Sequence, residues 1–145
     1  MKLSAVLLIL ASLALTGCQT TGSQAEPHPQ LYQELGERSG IANIVEDLLY
    51  LIVDDQRING HFAGIDVERF HTQLTDQLCT ISGGPCTYTG REMRESHADM
   101  NITDTGFNAL AENLILAMES NSVPTSAQNR LIARLVPMYP DIRNL

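Results

Sequence analysis

The 145-residue chain contains no tryptophan, and its aromatic residues are four tyrosines and three phenylalanines. Basic residues number nine against seventeen acidic ones, and the only lysine is Lys2. Without a basic stripe or an interleaved set of stacking rings, the chain lacks the features that hold a nucleic-acid backbone. Nucleic acid is excluded as a partner. The net charge of −8 likewise disfavours electrostatic attraction to an anionic membrane surface. No apolar run reaches the roughly 18 residues that a spanning helix needs. No stretch alternates polar and apolar side chains as a half-buried strand would. Cysteine is sparse, at positions 18, 79 and 86, and a zinc site would need a second ligand pair.

The first seventeen residues read as an export signal. Lys2 gives a positive start, Val6 to Leu15 is a short apolar run, and Leu15-Thr16-Gly17 leads into Cys18. The order Leu-Thr-Gly-Cys resembles the bacterial lipoprotein signal, in which the cysteine is lipidated and becomes the first mature residue. An ordinary secretory peptide with a chance cysteine is the alternative. Gln19 follows where aspartate would favour retention at the inner membrane, so the resemblance implies an outer-membrane lipoprotein facing the periplasm. An anchor of two or more acyl chains at Cys18 would hold the membrane stably. Residues 18–30, rich in Gly, Ser, Thr and Pro, read as a flexible tether. In an exported protein the close pair Cys79 and Cys86 predicts a disulfide, because the intervening Ser-Gly-Gly-Pro lets the chain fold back. Free thiols or half of a metal site are the other readings of that pair.

Residues 31–145 form one domain with helical patterning throughout. A short helix or turn covers Leu31 to Glu37. Ile41 to Val53 carries apolar residues at 41, 44, 45, 48, 49 and 52, the stripe of a core helix. Asp66 suits the cap of a helix running to Ile81, with Val67, Phe70, Leu74, Leu78 and Ile81 on one side. Thr103 or Asp104 caps another, with Phe107, Leu110, Ala111, Leu114 and Met118 on its face. Val123-Pro124 opens the last, with Leu131, Ile132, Leu135 and Val136 facing in. The fold class is therefore all-α, a small helical domain around one core.

One segment does not suit a plain bundle. Gly83 to His97 is long and irregular for a helix connection. It ends in a helical turn that places Met93 and His97 at i and i+4 on one face. A histidine so placed can offer a neutral ring nitrogen to a metal while a backbone carbonyl holds the other. Phe62, Phe70 and Phe107 supply apolar walls, so the parts of a haem slot are present. A structural histidine on an apolar face is the competing reading.

The order of these residues decides between them. The runs LYQELGERSGI at 31–41, HFAGIDVERF at 61–70 and GGPCTYTGREMRESHADMNIT at 83–103, followed by Phe107, resemble the group 1 truncated haemoglobins. The resemblance covers nearly all of residues 31–140. It implies a two-over-two helical sandwich holding haem b between the Asp66–Ile81 helix and the Gly90–His97 segment. Residue by residue it implies His97 as the iron ligand and Phe62 as the aromatic on the porphyrin edge. Phe70, Leu74, Met93 and Phe107 line the slot, while Tyr88 and Arg69 approach the propionates, with Arg91 and Arg94 as rivals for that contact. The distal wall departs from the family pattern. Many members place tyrosine where Leu49 stands, and polar residues where Phe70 and Leu74 stand. Tyr50 lies about 100° around the helix from that position. Gln77 and Gln73 flank the stripe as possible donors. His71 is read as exposed, with a sixth-ligand role as the lesser reading, while His61 and His28 are read as loop residues with no role.

The resemblance implies reversible binding of a diatomic gas, oxygen or nitric oxide, outside the cytoplasm. A haem oxidoreductase of nitric oxide dioxygenase or peroxidase type is an alternative, which would require an unidentified reductant and a distal acid or base. A haem-free anchored helical interaction module is the third. The residues leave enzyme status open.

Overall fold

The computed structural model describes residues 29–145. The signal, Cys18 and nearly all of the expected tether lie outside the described residues. Helix α1 (Pro29–Glu34) already includes Pro29 and Gln30, so ordered structure begins two residues inside the segment read as tether. Helices α2 (Glu37–Asp54), α3 (Val67–Ile81), α4 (Met93–Ser96), α5 (Asp104–Ser120) and α6 (Thr125–Leu135) follow. Short 3₁₀ turns occur at Asn59–Phe62 and Val136–Asp141. Among the described residues there is no strand, only an isolated parallel bridge between Ile102 and Arg143.

Local chemistry accounts for the boundaries. Asp66 accepts from the Arg69 N–H at 3.0 Å, and Thr103 Oγ1 accepts from Gly106 N–H at 3.1 Å, capping α3 and α5. Helix α2 starts four residues earlier than the apolar stripe alone suggests. Gly36 turns the chain at φ 79°, and a side chain at Gly40 would put its Cβ 2.4 Å from the Leu35 carbonyl oxygen. Glycine at 40 therefore lets α2 begin against the end of α1 instead of breaking it.

Helix α2 packs along both α3 and α5, and α5 pairs with α6, giving the two-over-two arrangement. The core between them holds Ile41, Val45, Leu48, Ile52, Met118 and Leu131, none more than 1% exposed. Polar ties fix the crossings: Arg38 with Asp76 (2.9 Å) joins α2 to α3, and Asn121 with Asp47 (2.7 Å) joins the end of α5 to α2. Arg130 pairs with Glu34, and Arg134 donates to the Ile81 carbonyl at the end of α3. Val136, expected to face inward, falls in the turn after α6 and is exposed.

Asp55 anchors the α2–α5 crossing. Its carboxylate accepts from Arg57 at 2.7–3.2 Å and from the buried Asn113 amide at 2.9 Å. The Arg57 guanidinium holds the Asp55 carboxyl well below the ordinary carboxylate range, outweighing partial burial. A depressed folded-state pKa gives stability that is complete above the unfolded value and lost as pH falls beneath it. Asp55→Asn should therefore be less stable than the parent at pH 7, and the gap should narrow progressively as pH falls below about 4. Urea unfolding at pH 7 and at about pH 2 measures it; a pH-independent gap would refute the assignment.

A disulfide joins Cys79 to Cys86, with Cα atoms 5.8 Å apart. Closing so short a loop stabilises by about 2.5 kcal/mol in the chain-entropy account. Cys86→Ser should lower Tm by roughly 8 °C in oxidising buffer and leave it unchanged relative to the parent under reductant.

Candidate haem site

The end of α3, the irregular stretch 82–92, α4 and α5 enclose a cavity of about 470 Å³. That is within the range of about 300–1,000 Å³ typical of cofactor sites. Helices α2 and α3 contribute Leu48, Phe70, Leu74 and Leu78 to one wall. Met93, His97, Met100, Ile102 and Phe107 form the other, and the 3₁₀ turn brings Phe62 to an edge. The Phe62 and Phe70 rings meet edge to face, 5.5 Å between centroids at 82°.

His97 follows the last residue of α4, half-buried on the cavity wall. Its Nδ1 lies 2.8 Å from the Met93 carbonyl oxygen. That carbonyl is acceptor only, so Nδ1 carries a proton, and in the neutral ring Nε2 holds the lone pair. Such a ring is oriented as an iron ligand requires. Ser96 Oγ, 3.5 Å from the same nitrogen, donates instead to the Glu92 carbonyl at 2.7 Å.

The cavity's polar groups are few. Arg91 and Tyr88 stand on its border. Tyr88 donates to the Arg91 carbonyl at 2.8 Å and lies against Gly90, where a Cβ would meet its hydroxyl at 2.3 Å. Burial, then the Glu92 carboxylate, pushes the Tyr88 phenol above its ordinary value, so it remains an O–H group. Gln77 reaches from α3 to Met93, its amide nitrogen 3.3 Å from the sulfur, and Gln73 and His61 also border the space.

Most of the expected site residues converge here: Phe62, Phe70, Leu74, Gln77, Tyr88, Met93, His97 and Phe107 all line this cavity. Two do not. Leu49 lines a separate outer groove with Tyr50, Val67 and His71, because α2 turns Leu48 inward and one residue is about 100° of rotation. Leu48 lines the cavity at this point of α2. Arg69 is exposed on α3 and reaches neither cavity, because the face of α3 toward this space runs through Phe70, Leu74 and Gln77. Arg94 pairs with Asp141 at 2.8 Å, which leaves Arg91 as the guanidinium on the border. His71, expected to be exposed, is half-buried with Nε2 3.0 Å from the Ala42 carbonyl, away from the haem cavity. His61 has a place on the cavity wall that its loop position did not announce.

The donor set fits one prosthetic group. A single oriented imidazole, two apolar faces and a guanidinium with a phenol at the rim match a flat apolar macrocycle carrying a metal and two carboxylates. Among the described residues no cluster of three metal-binding side chains exists to suggest another metal centre. Comparison with known proteins agrees. The family profile for Bacterial-like globin matches residues 30–144. A group 1 truncated haemoglobin of Nostoc sp. is 31% identical over 114 residues, spanning 79% of this chain and 97% of its own. The chain belongs to the group 1 truncated haemoglobins. Its relative in Mycolicibacterium paratuberculosis, also a group 1 truncated haemoglobin, is 26% identical across 82% of this chain and 87% of that one. The Fe(III) truncated haemoglobin of Tetrahymena pyriformis superposes with a TM-score of 0.77 at 26% identity, covering 79% of this chain and 98% of that one. The 2/2 haemoglobin of Synechococcus sp., crystallised in the cyanomet state with covalently attached haem, gives 0.72 at 26% identity, covering 77% and 96%.

Proposed function

We propose that this truncated haemoglobin binds haem b in the α3–α4 cavity and takes up a diatomic gas reversibly outside the cytoplasm. The observation that carries the reading is His97, its Nδ1 proton committed to the Met93 carbonyl in an otherwise apolar wall. Haem would supply an iron able to bind a gas molecule, and His97 would hold it. Phe70 and Leu74 would exclude water from the cavity and offer no hydrogen bond, with Phe62 at its edge. Arg91 would neutralise propionate charge at the rim, beside the Tyr88 hydroxyl, whose proton goes to the Arg91 carbonyl.

The distal wall sets the preference among gases. Dioxygen develops partial negative charge in such a site and gains about 1–3 kcal/mol from one hydrogen bond in a dry pocket. Leu48, Phe70 and Leu74 provide none, which leaves Gln73, Gln77 and His61 as the donors the cavity can offer dioxygen; if none of them reaches it, nitric oxide and carbon monoxide lose less than dioxygen does. Export and anchoring rest on the Leu-Thr-Gly-Cys order at 15–18, and the Cys79–Cys86 disulfide supports an oxidising compartment. An electron donor that keeps the iron ferrous belongs to the same reading.

Hemin titration of the protein, followed by reduction and exposure to each gas, tests the proposal. A Soret band that shifts reversibly with gas is expected, and a protein that stays colourless with hemin refutes it. Fatty-acid labelling that Cys18→Ser abolishes is the expected result for the anchor; labelling that survives the substitution refutes it.

A further inference from the structure

Residues 82–92 connect the two walls of the cavity, and no helix holds them. Gly83 N–H donates to Thr80 O at 3.1 Å and Gly84 N–H to Cys79 O at 2.9 Å, fixing the first turn. Past Gly84, the tie to α3 is one hydrogen bond, Thr80 Oγ1 to the Cys86 carbonyl at 3.2 Å, and the disulfide. The other hydrogen bonds of residues 85–92 stay within that stretch and α4, as from Tyr88 to Arg91 and from Ser96 to Glu92. Cys79 is fully buried, next to Leu78 on the cavity wall, and Cys86 is two residues from Tyr88. The turn has no slack, since a Cβ at Gly84 would come 2.7 Å from Cys79 Sγ and 2.5 Å from the Tyr32 ring.

We infer that Cys79 and Cys86 are positioning residues for the haem site, their bridge setting where the segment that delivers His97 begins. The inference rests on the haem reading of this cavity. With the bridge closed, the free connection into α4 is residues 87–92; with it open, it is residues 85–92. Closure probability falls as about the 3/2 power of segment length, so the bridge favours His97 at the iron by about 1.5-fold. Coupling of this kind is reciprocal. The factor that the bridge adds to haem affinity is the factor that haem adds to the bridge's resistance to reduction.

Dithiothreitol redox buffers read that factor. The dithiol's two thiols give two electrons and two protons to the cystine, whose S–S bond breaks into two cysteine thiols as the reagent closes to its cyclic disulfide. Zinc protoporphyrin, which does not exchange electrons with thiols, serves as the bound probe, and alkylation counts the thiols. Saturating porphyrin should make reduction about 1.5-fold less favourable, a midpoint lower by about 5 mV. The reduced protein should release hemin to apomyoglobin about 1.5-fold faster. Its iron–histidine stretching band in the ferrous, gas-free state should shift or broaden. Cys86→Ser should copy the reduced protein; if that variant fails to fold, the reduced parent carries the test. If the bridge only stabilises the fold, its loss would lower Tm yet leave equal midpoints with and without porphyrin. Equal midpoints and equal release would overturn the inference while leaving the haem site standing. Failure of both porphyrins to bind would overturn the haem reading and this inference together.

Discussion

Alanine at position 97 should leave the protein folded and nearly unable to keep haem. His97 makes its hydrogen bond to Met93 within its own turn, and the buried core lies in α2, α3, α5 and α6. The truncation therefore removes few contacts that hold the apoprotein together. It deletes the coordinate bond and leaves the macrocycle retained by apolar burial and rim charges alone. Removing a partner that merely orients a metal ligand costs about 10–100-fold in affinity, so losing the ligand should exceed about 100-fold in hemin release rate. Hemin transfer to apomyoglobin measures this, with far-ultraviolet circular dichroism as the control for folding. Added imidazole should restore part of the binding by filling the space the ring vacates. A variant that keeps the parent's Soret band and release rate would remove His97 from the role of ligand.

The fold was legible because α3 and α5 carry their own caps and α2 its own apolar stripe. Asp66 and Thr103 accept the amide protons that helix starts leave unpaired, and the apolar stripe through 41, 45, 48 and 52 is one face of α2. The proximal side was legible as well, since Met93 and His97 are neighbours in sequence and the local turn alone sets their relation. What the sequence hid depends on rotation and on distant packing. Spacing by resemblance selects Leu49, yet the helical period centres the buried face on Leu48, which is 1% exposed. No comparable signal exists for His61, whose place on the wall follows from the 3₁₀ turn after α2. The C-terminal turn was equally hidden: Tyr139 donates to Asp104 at 2.6 Å and stacks edge-on against Phe107. Arg69 looked suitable because it is a cation on the correct helix. Its azimuth on α3 keeps it off the cavity wall, and Arg91, on the irregular stretch, borders the cavity.

The distal wall yields the second large effect. Leu48→Tyr should slow dioxygen release by roughly ten- to a hundredfold, the equivalent of one hydrogen bond of about 1–3 kcal/mol in a dry pocket. The added phenol projects from a fully buried position of α2 into a cavity that already has about 470 Å³ of space. Carbon monoxide release should change far less, because that ligand carries little charge for the hydroxyl to stabilise. Leu49→Tyr is the matched control. Its side chain joins the outer groove beside Glu46, Tyr50 and His71, so both gases should leave at the parent's rates. Stopped-flow displacement on the two variants separates the neighbours cleanly, since they differ by one residue and about 100° of helix. If tyrosine at 49 slows dioxygen release and tyrosine at 48 does not, α2 is rotated by one position in the haem-loaded protein, and the distal wall must be redrawn through Leu49.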